Sequence, residues 1–136
     1  TNGRKEITTS LNEVLKPVQD LGPYNHINIA VVGTDNYDFM MQGVANLVAD
    51  QGNANYASNY HAQSDTFDKV DQKQLKLNAA IIAALTLGYA NIEKVTWKRQ
   101  SSKEVVNMVK EFDIEASMKT FGLYKSWTNN TRGIKH

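Results

Sequence analysis

Two short apolar runs with a helix predicted between them constrain the fold most strongly. The first run, Ile27–Val32, is rich in β-branched residues and ends at Gly33, and the second is ANLVAD at residues 45–50. The intervening residues predict a short helix at about 37–42. A strand, helix and strand in succession are typical of a parallel sheet whose faces are both covered. We therefore expect an α/β fold with a small, mainly parallel sheet flanked by helices.

Two longer helices are predicted from apolar residues spaced three and four apart. The first runs from about residue 8 to Leu21, with a kink or an early end at Pro17 because proline cannot continue the backbone ladder. The second runs from about Gln72 to Ile92, with Asp71 as its N-cap. From Ala79 onward this helix is apolar nearly all round, so we expect it to be buried. About twenty residues of irregular loop precede it, and such loops are often functional.

The last third of the chain has its own character. Residues 101–127 are amphipathic and predict helix, with Ser101 or Ser102 as the N-cap and Glu104 in the first turn. The final residues, TNNTRGIKH, predict a frayed end. We divide the chain into a domain at 1–95 and a helical extension at 96–136.

Charge and cysteine content exclude several functions. The 136 residues carry a net charge of +1 and no cysteine. A charge near zero argues against nucleic acid as the main partner, and the absent cysteine excludes disulfides, thiolate metal sites and a cysteine nucleophile. No serine-hydrolase elbow, P-loop or H-E-x-x-H motif is present. The chain starts at Thr1 without a methionine, and we expect it to derive from a longer protein.

The stretch NYHAQSDTFDKVD at residues 59–71 is the first candidate site. His61 is the one histidine that lies among carboxylates, with Asp65, Thr66 and Asp68 following it. The plain interpretation is a surface loop in which aspartates cap helices and turns, and we assign Asp71 to that role. The alternative is a metal ligand at His61 with Asp65 orienting the imidazole. One histidine cannot complete a zinc site, which needs three or four protein ligands.

The segment GTDNYDF at residues 33–39 is the second candidate, because ligands bind where strands end in open α/β sheets. Asp35 and Asp38 could line a pocket, or Asp35 or Asn36 could cap the helix, whereas Phe39 is expected in the core. Four tyrosines could shape a substrate pocket or simply be exposed: Tyr24, Tyr37, Tyr56 and Tyr60. The other two histidines, His26 and His136, are not expected to be ligands.

The run from Gly33 to Asn91 closely resembles the C-terminal part of the co-catalytic two-zinc exopeptidases, the family of bacterial leucyl aminopeptidase and plasma glutamate carboxypeptidase. The shared pattern is G-[ST]-D-x-x-x-F, then G-V with an apolar strand, H-x-x-x-D-T, and D-K-V-D before a long helix. The resemblance covers residues 1–91 and implies part of the phosphorylase/hydrolase-like fold, followed by a helical extension.

The resemblance implies a role for each matching residue. His61 corresponds to a zinc ligand, Asp65 and Thr66 to residues that fix the loop or the imidazole, and Gly33, Thr34, Asp35 and Tyr60 to the rim of the substrate pocket. The family's other ligands and its general base precede this region, and nothing before Gly33 matches them. The implied cofactor is therefore a pair of zinc ions held mostly by residues outside this chain.

The function implied is the C-terminal portion of a zinc-dependent exopeptidase, an aminopeptidase or carboxypeptidase that hydrolyses peptide bonds with a zinc-activated water. No catalytic residue is expected in this chain, and the isolated chain is expected to be inactive. The alternatives are a non-catalytic, peptidase-like binding domain and an unrelated α/β interaction module. Expected partners are a peptide substrate, the missing N-terminal part and a second copy of the chain, but not nucleic acid. The resemblance favours export, although the compartment stays open.

Overall fold

Helices and the segments that join them make up the computed structural model, which describes residues 1–50 and 55–135. The 3-10 helices are Lys5–Ile7, Lys16–Leu21 and Phe67–Lys69. The α-helices are α1 (Thr8–Leu15), α2 (Asn36–Met41), α3 (Tyr56–Asn59), α4 (Gln72–Ala90), α5 (Ser102–Glu111), α6 (Glu115–Thr120) and α7 (Tyr124–Thr128).

The predicted parallel sheet is wrong, because the described residues contain no β-strand. No backbone hydrogen bond joins the run at 27–32 to the run at 45–50. The side chain of Asn2 connects the two runs instead, accepting a hydrogen bond from the Val31 amide at 2.8 Å and donating to Asn46 Oδ1 at 2.6 Å. A strand is stable when neighbouring strands satisfy its backbone groups. Two short runs lack those neighbours here, and Ile27 and Ile29 remain half exposed.

Pro17 has the effect predicted for it. The α-helical part of the first helix, α1, ends at Leu15, and the chain continues as the 3-10 helix Lys16–Leu21. Val18 inside that segment has non-helical dihedral angles, which marks the kink. Proline removes a backbone hydrogen-bond donor and crowds the preceding turn, so the regular α-helical hydrogen bonds stop near Pro17.

The long helix α4 forms as predicted, but its predicted burial is wrong. Asp71 caps it by accepting a hydrogen bond from the Gln74 amide at 2.9 Å. One face contacts the 3-10 helix Lys16–Leu21. Gly88 allows α4 to approach α1 closely, since a β-carbon at position 88 would lie 2.7 Å from Val14 Cβ. None of the α4 side chains is buried. The apolar residues on the other face are largely exposed, as Leu75, Ile82 and Leu87 show.

The amphipathic tail is helical, but it is divided into three helices. Ser101 caps α5 in a capping box with Glu104, as the sequence predicted. Positive φ angles at Asp113 (47°) and Gly122 (69°) separate α5, α6 and α7. The predicted fraying of the last residues is wrong up to Ile134, whose amide donates to the Met41 carbonyl at 2.8 Å.

The described chain divides into two compact units. The first consists of Thr1–Ser10, Asn25–Val48 and Lys94–His136, and the second of Leu11–Tyr24 and Ala49–Glu93. The core of the first unit joins α2 to α5, α6 and α7, through Tyr37, Met40, Met41, Val105, Met108, Val109, Ile114, Met118 and Trp127. The predicted domain division near residue 95 stays a prediction.

Phe39 is not in that core, contrary to the prediction. It is 59% exposed, because Tyr37, Met40 and Met41 form the buried face of α2 and Phe39 lies on the other side. No helix within residues 1–50 and 55–135 has the length and apolar character needed to cross a membrane.

Candidate functional site

His61 lies on a turn directly after α3, and its backbone is strained. Its φ angle is 56°, in the left-handed region that non-glycine residues seldom adopt. The imidazole is exposed, and the ring of Tyr60 lies against it with centroids 3.9 Å apart. Strained residues of this kind occur often at functional sites, where the surroundings hold them in place. The turn therefore presents an imidazole to solvent, with one side supported by an aromatic ring.

The loop that follows His61 is held by its own hydrogen bonds. Thr66 Oγ1 donates to Asp68 Oδ1 at 2.5 Å, and Lys69 forms an ion pair with the same carboxylate. These bonds, first from Lys69 and then from Thr66, hold the pKa of Asp68 below its usual value. No hydrogen bond joins the Asp65 carboxylate to the His61 imidazole among the described residues. The proposed roles of Asp65 and Thr66 stay predictions.

A groove on the second unit brings some of the predicted residues together. It lies between α3, the loop and the start of α4, and Tyr56, Tyr60, Asp65, Lys69, Asp71 and Leu75 are among its lining residues. The rings of Tyr56 and Tyr60 are stacked, with centroids 4.9 Å apart. The groove thus includes Tyr60 and Asp65 but neither His61 nor Thr66. Residues 51–54, the first part of the predicted irregular loop, lie outside the described residues, as does His136.

The predicted rim segment, Gly33, Thr34 and Asp35, lies in the first unit. Gly33 has a φ angle of 92°, so the turn requires glycine. Asp35 occupies the N-cap position of α2 but makes no capping hydrogen bond with its side chain. Asn36 does not cap either, because its side chain donates to the Leu47 carbonyl at 2.7 Å. Within the described residues, the Thr34 hydroxyl is buried without a hydrogen-bond partner.

Asp38 forms an ion pair that the sequence did not reveal. Arg132 donates two hydrogen bonds to its carboxylate, at 2.7 and 2.8 Å, and these hold the pKa of Asp38 below its usual value. The same guanidinium lies 5.7 Å from the centre of the Tyr37 ring. Burial raises the pKa of Tyr37 to about 12. Asp38 and Tyr37 thus fasten the C-terminal residues to α2, and no spacing signal links positions 38 and 132.

The remaining tyrosine and histidine make simpler contacts. Tyr24 donates its hydroxyl hydrogen to the Val18 carbonyl at 2.6 Å, within the second unit. His26 is half-buried in the first unit. The predicted tyrosine set therefore divides into a stacked exposed pair, a core residue and a loop anchor.

The described side chains do not fit a complete zinc site. Among residues 1–50 and 55–135, no group of three or more His, Asp or Glu side chains could hold a metal ion. His61 offers one exposed nitrogen ligand, and a zinc site uses three or four protein ligands.

The comparison with protein families identifies the chain at family level. The model of peptidase family M28 matches residues 1–86, which is more than half of the sequence. The chain belongs to peptidase family M28. The match includes the segments GTD at 33–35 and HAQSDT at 61–66, on which the sequence resemblance depends. No curated protein and no solved structure matches the chain.

Membership of family M28 supports part of the function expected from the sequence. Members of the family are generally zinc-dependent peptidases, so a hydrolase is the supported class. The family alone does not distinguish aminopeptidases from carboxypeptidases. The matched region ends inside α4, so the residues that follow Thr86 are outside the family pattern.

Proposed function

We propose that this chain is the C-terminal portion of a zinc-dependent exopeptidase and that His61 is its contribution to the metal centre. The observation that carries the proposal is the family match over residues 1–86, which includes the H-x-x-x-D-T motif. The geometry of His61 supports it, because an exposed imidazole on a strained turn is available to a ligand. The remaining ligands for two zinc ions would come from residues outside this chain.

The loop after His61 supports the same proposal. Thr66 and Lys69 both bind the Asp68 carboxylate, and Asp71 caps α4, so the segment between the histidine and the helix is held at several points. A metal ligand needs such support, because small errors in its position weaken binding. We assign Asp65 and Thr66 to fixing this loop, and Gly33, Thr34, Asp35 and Tyr60 to the rim of the substrate pocket.

The exposed face of α4 supports a partner from the same protein. Leu75, Ile82 and Leu87 are each about half exposed or more, on a helix whose opposite face is already in contact with the 3-10 helix. Leu75 and Ile82 are seven residues apart and so lie on one face, and exposed apolar side chains grouped in this way mark an interaction surface. We propose that the missing N-terminal part covers it, and that the isolated chain pairs with a second copy through the same surface.

Hydrolysis of peptide substrates by the full-length protein tests the proposal. The informative variant is His61→Asn, because asparagine tolerates the left-handed backbone while removing the imidazole. We expect it to lose nearly all zinc-dependent peptidase activity. The matched control, His26→Asn, should retain it. The isolated 136-residue chain should show no turnover, since it has no complete metal site among its described residues.

Two results would contradict the proposal. A His61→Asn variant with unchanged zinc-dependent activity would show that His61 is not a ligand. A full-length protein without peptidase activity would favour the alternative, a non-catalytic binding domain of the same family.

A further inference from the structure

The end of α6 holds an aromatic side chain in a fixed position. Leu123 N donates to the Met118 carbonyl at 2.8 Å, and Gly122 N donates to the Lys119 carbonyl at 3.0 Å. With Gly122 at a φ angle of 69°, this is a Schellman motif, which ends a helix in a defined geometry. Met118 is fully buried and anchors the motif in the core. Phe121, the C-cap residue, is therefore attached to a rigid support.

The ring of Phe121 lies directly on Gly33. A β-carbon built at Gly33 would be 2.5 Å from the ring atom Cζ and 2.9 Å from each Cε atom. The absence of a side chain at Gly33 therefore creates the space that the ring occupies. Yet Phe121 is 57% exposed, whereas Trp127 of the neighbouring helix is only 5% exposed. The ring covers the loop at Gly33 and keeps more than half of its apolar surface accessible.

The polar side chains near Phe121 on α6 have partners of their own. Lys119 forms an ion pair with Glu115 at 3.8 Å and lies 4.5 Å from the centre of the Tyr124 ring. An exposed aromatic ring on a fixed backbone provides contact area at a low cost in conformational entropy. The exposed part of Phe121 is therefore suited to bind an apolar group.

We propose that Phe121 is a specificity-determining residue at the rim formed by Gly33, Thr34 and Asp35, and that it favours substrates with an apolar or aromatic side chain. This inference rests on the proposed function, which assigns that segment to the substrate pocket. Phe121 itself lies outside residues 1–86, so the family pattern does not assign it a role. The C-terminal segment would thus have two roles, because it forms part of the core of the first unit and also contributes to substrate choice.

Binding to the 136-residue chain tests the inference without requiring activity. The probe is N-acetyl-L-phenylalanine amide, titrated at millimolar concentration while the backbone amide signals of the chain are recorded by NMR. We expect the amide signals of Gly33, Thr34, Phe121 and Gly122 to shift. The same signals should shift at least about threefold less when N-acetyl-L-alanine amide is the probe. In a Phe121→Ala variant the shifts should disappear, and in Phe121→Leu they should be partly retained.

The matched control is Phe39→Ala, because Phe39 has nearly the same exposed fraction, 59%, in the same unit. It should leave the titration unchanged. Absence of shifts at Gly33 and Phe121 in the unaltered chain would overturn the inference. Equal shifts with both probes would also overturn it.

Kinetics of the full-length enzyme give a second test. Phe121→Ala should raise KM about tenfold for substrates with a phenylalanine side chain and leave KM for alanine substrates unchanged, with kcat little altered. An equal loss on both substrates would indicate a structural role and contradict the inference. If the full-length protein hydrolyses no peptide but the chain binds the aromatic probe at Phe121, the proposed function fails and the binding site stands.

Discussion

Gly33 and Phe121 show how one residue can determine the shape of a loop. Gly33 has a positive φ angle and a ring against its α-carbon, so a side chain there meets two separate penalties. Gly122 has a positive φ angle too, but a β-carbon built there would have nothing within 4 Å. Alanine at position 122 therefore meets the conformational cost alone, whereas alanine at position 33 meets both the conformational and the steric cost.

We predict that Gly122→Ala lowers the free energy of unfolding by about 1–2 kcal/mol, the cost of a left-handed conformation for alanine. Gly33→Ala should cost at least about 1 kcal/mol more, because the ring of Phe121 must also move. Urea unfolding of the isolated chain measures both values.

In a Phe121→Ala background, Gly33→Ala should cost less than in the unaltered chain, since the steric penalty from the ring is gone. An unchanged cost of Gly33→Ala in that background would show that the ring does not restrict this position.

The ion pair between Asp38 and Arg132 gives a dependence of stability on pH. The pKa of Asp38 is lowered from 3.8 in the folded chain. A lowered folded pKa means that the stabilisation is present above the unfolded pKa and is lost as the pH falls through the folded value. Both side chains are about half exposed, so the contribution is about 0.2–1 kcal/mol and is screened by salt.

Asp38→Asn should therefore lower the free energy of unfolding at about pH 7 by that amount, and the difference from the unaltered chain should be smaller at about pH 3, below the unfolded pKa of 3.8. Urea unfolding at the two pH values measures it. Asp35→Asn removes the same charge from an exposed position without an Arg132 bond, and it should have no comparable effect. A difference for Asp38→Asn that persists unchanged at low pH would contradict the account.

Local residue chemistry was the most predictable part of the structure. Asp71 and Ser101 cap helices as the sequence indicates, because a cap needs only a side chain and an amide three residues later. The prediction of His61 came from the H-x-x-x-D-T motif, and its backbone strain was not visible in the spacing. Phe121 carried a weak signal, since a glycine follows it at a helix end. Arg132 gave no signal, because its partner is 94 residues away.

At the scale of elements, apolar periodicity predicted helices well and strands poorly. A helix satisfies its backbone within itself, so α1, α2, α4 and α5 follow from local pattern. A strand needs partners, and the runs at 27–32 and 45–50 find none in the described chain. The apolar composition of α4 also led to a wrong prediction of its burial, because an apolar helix is buried only where other residues cover it.

The exposed face of α4 leads to a prediction about association. The double variant Leu75→Ser/Ile82→Ser should reduce self-association of the isolated chain, because these exposed side chains are seven residues apart and lie on one face. Its free energy of unfolding should change by no more than about 0.5 kcal/mol per substitution. Light scattering at a series of concentrations measures association, and urea unfolding measures stability.

Leu77→Ser is the matched control, since Leu77 lies half-buried on the opposite face of α4. It should lower stability by about 1–3 kcal/mol and leave association unchanged. An unaltered chain that is already monomeric at every concentration would contradict the proposed role of this surface.

At the scale of the whole molecule, the chain matches a peptidase family but has no complete metal site among its described residues. Residues 1–86 match peptidase family M28, while the described residues include no group that could hold a metal ion. The sequence resemblance identified the family and proposed the site, but it implied a sheet that the described chain does not form. A sheet depends on pairing between distant segments, and a local sequence pattern does not show whether that pairing occurs.

The zinc content of the full-length protein tests the central claim most directly. Purified full-length protein and its His61→Asn variant would be compared by elemental analysis after equal dialysis, with His26→Asn as the control. We predict about two zinc ions per chain in the unaltered protein and in the control, and about one in the variant, because a lost ligand weakens one of the two sites. Equal zinc content in all three proteins would show that His61 is not a ligand and would contradict the account.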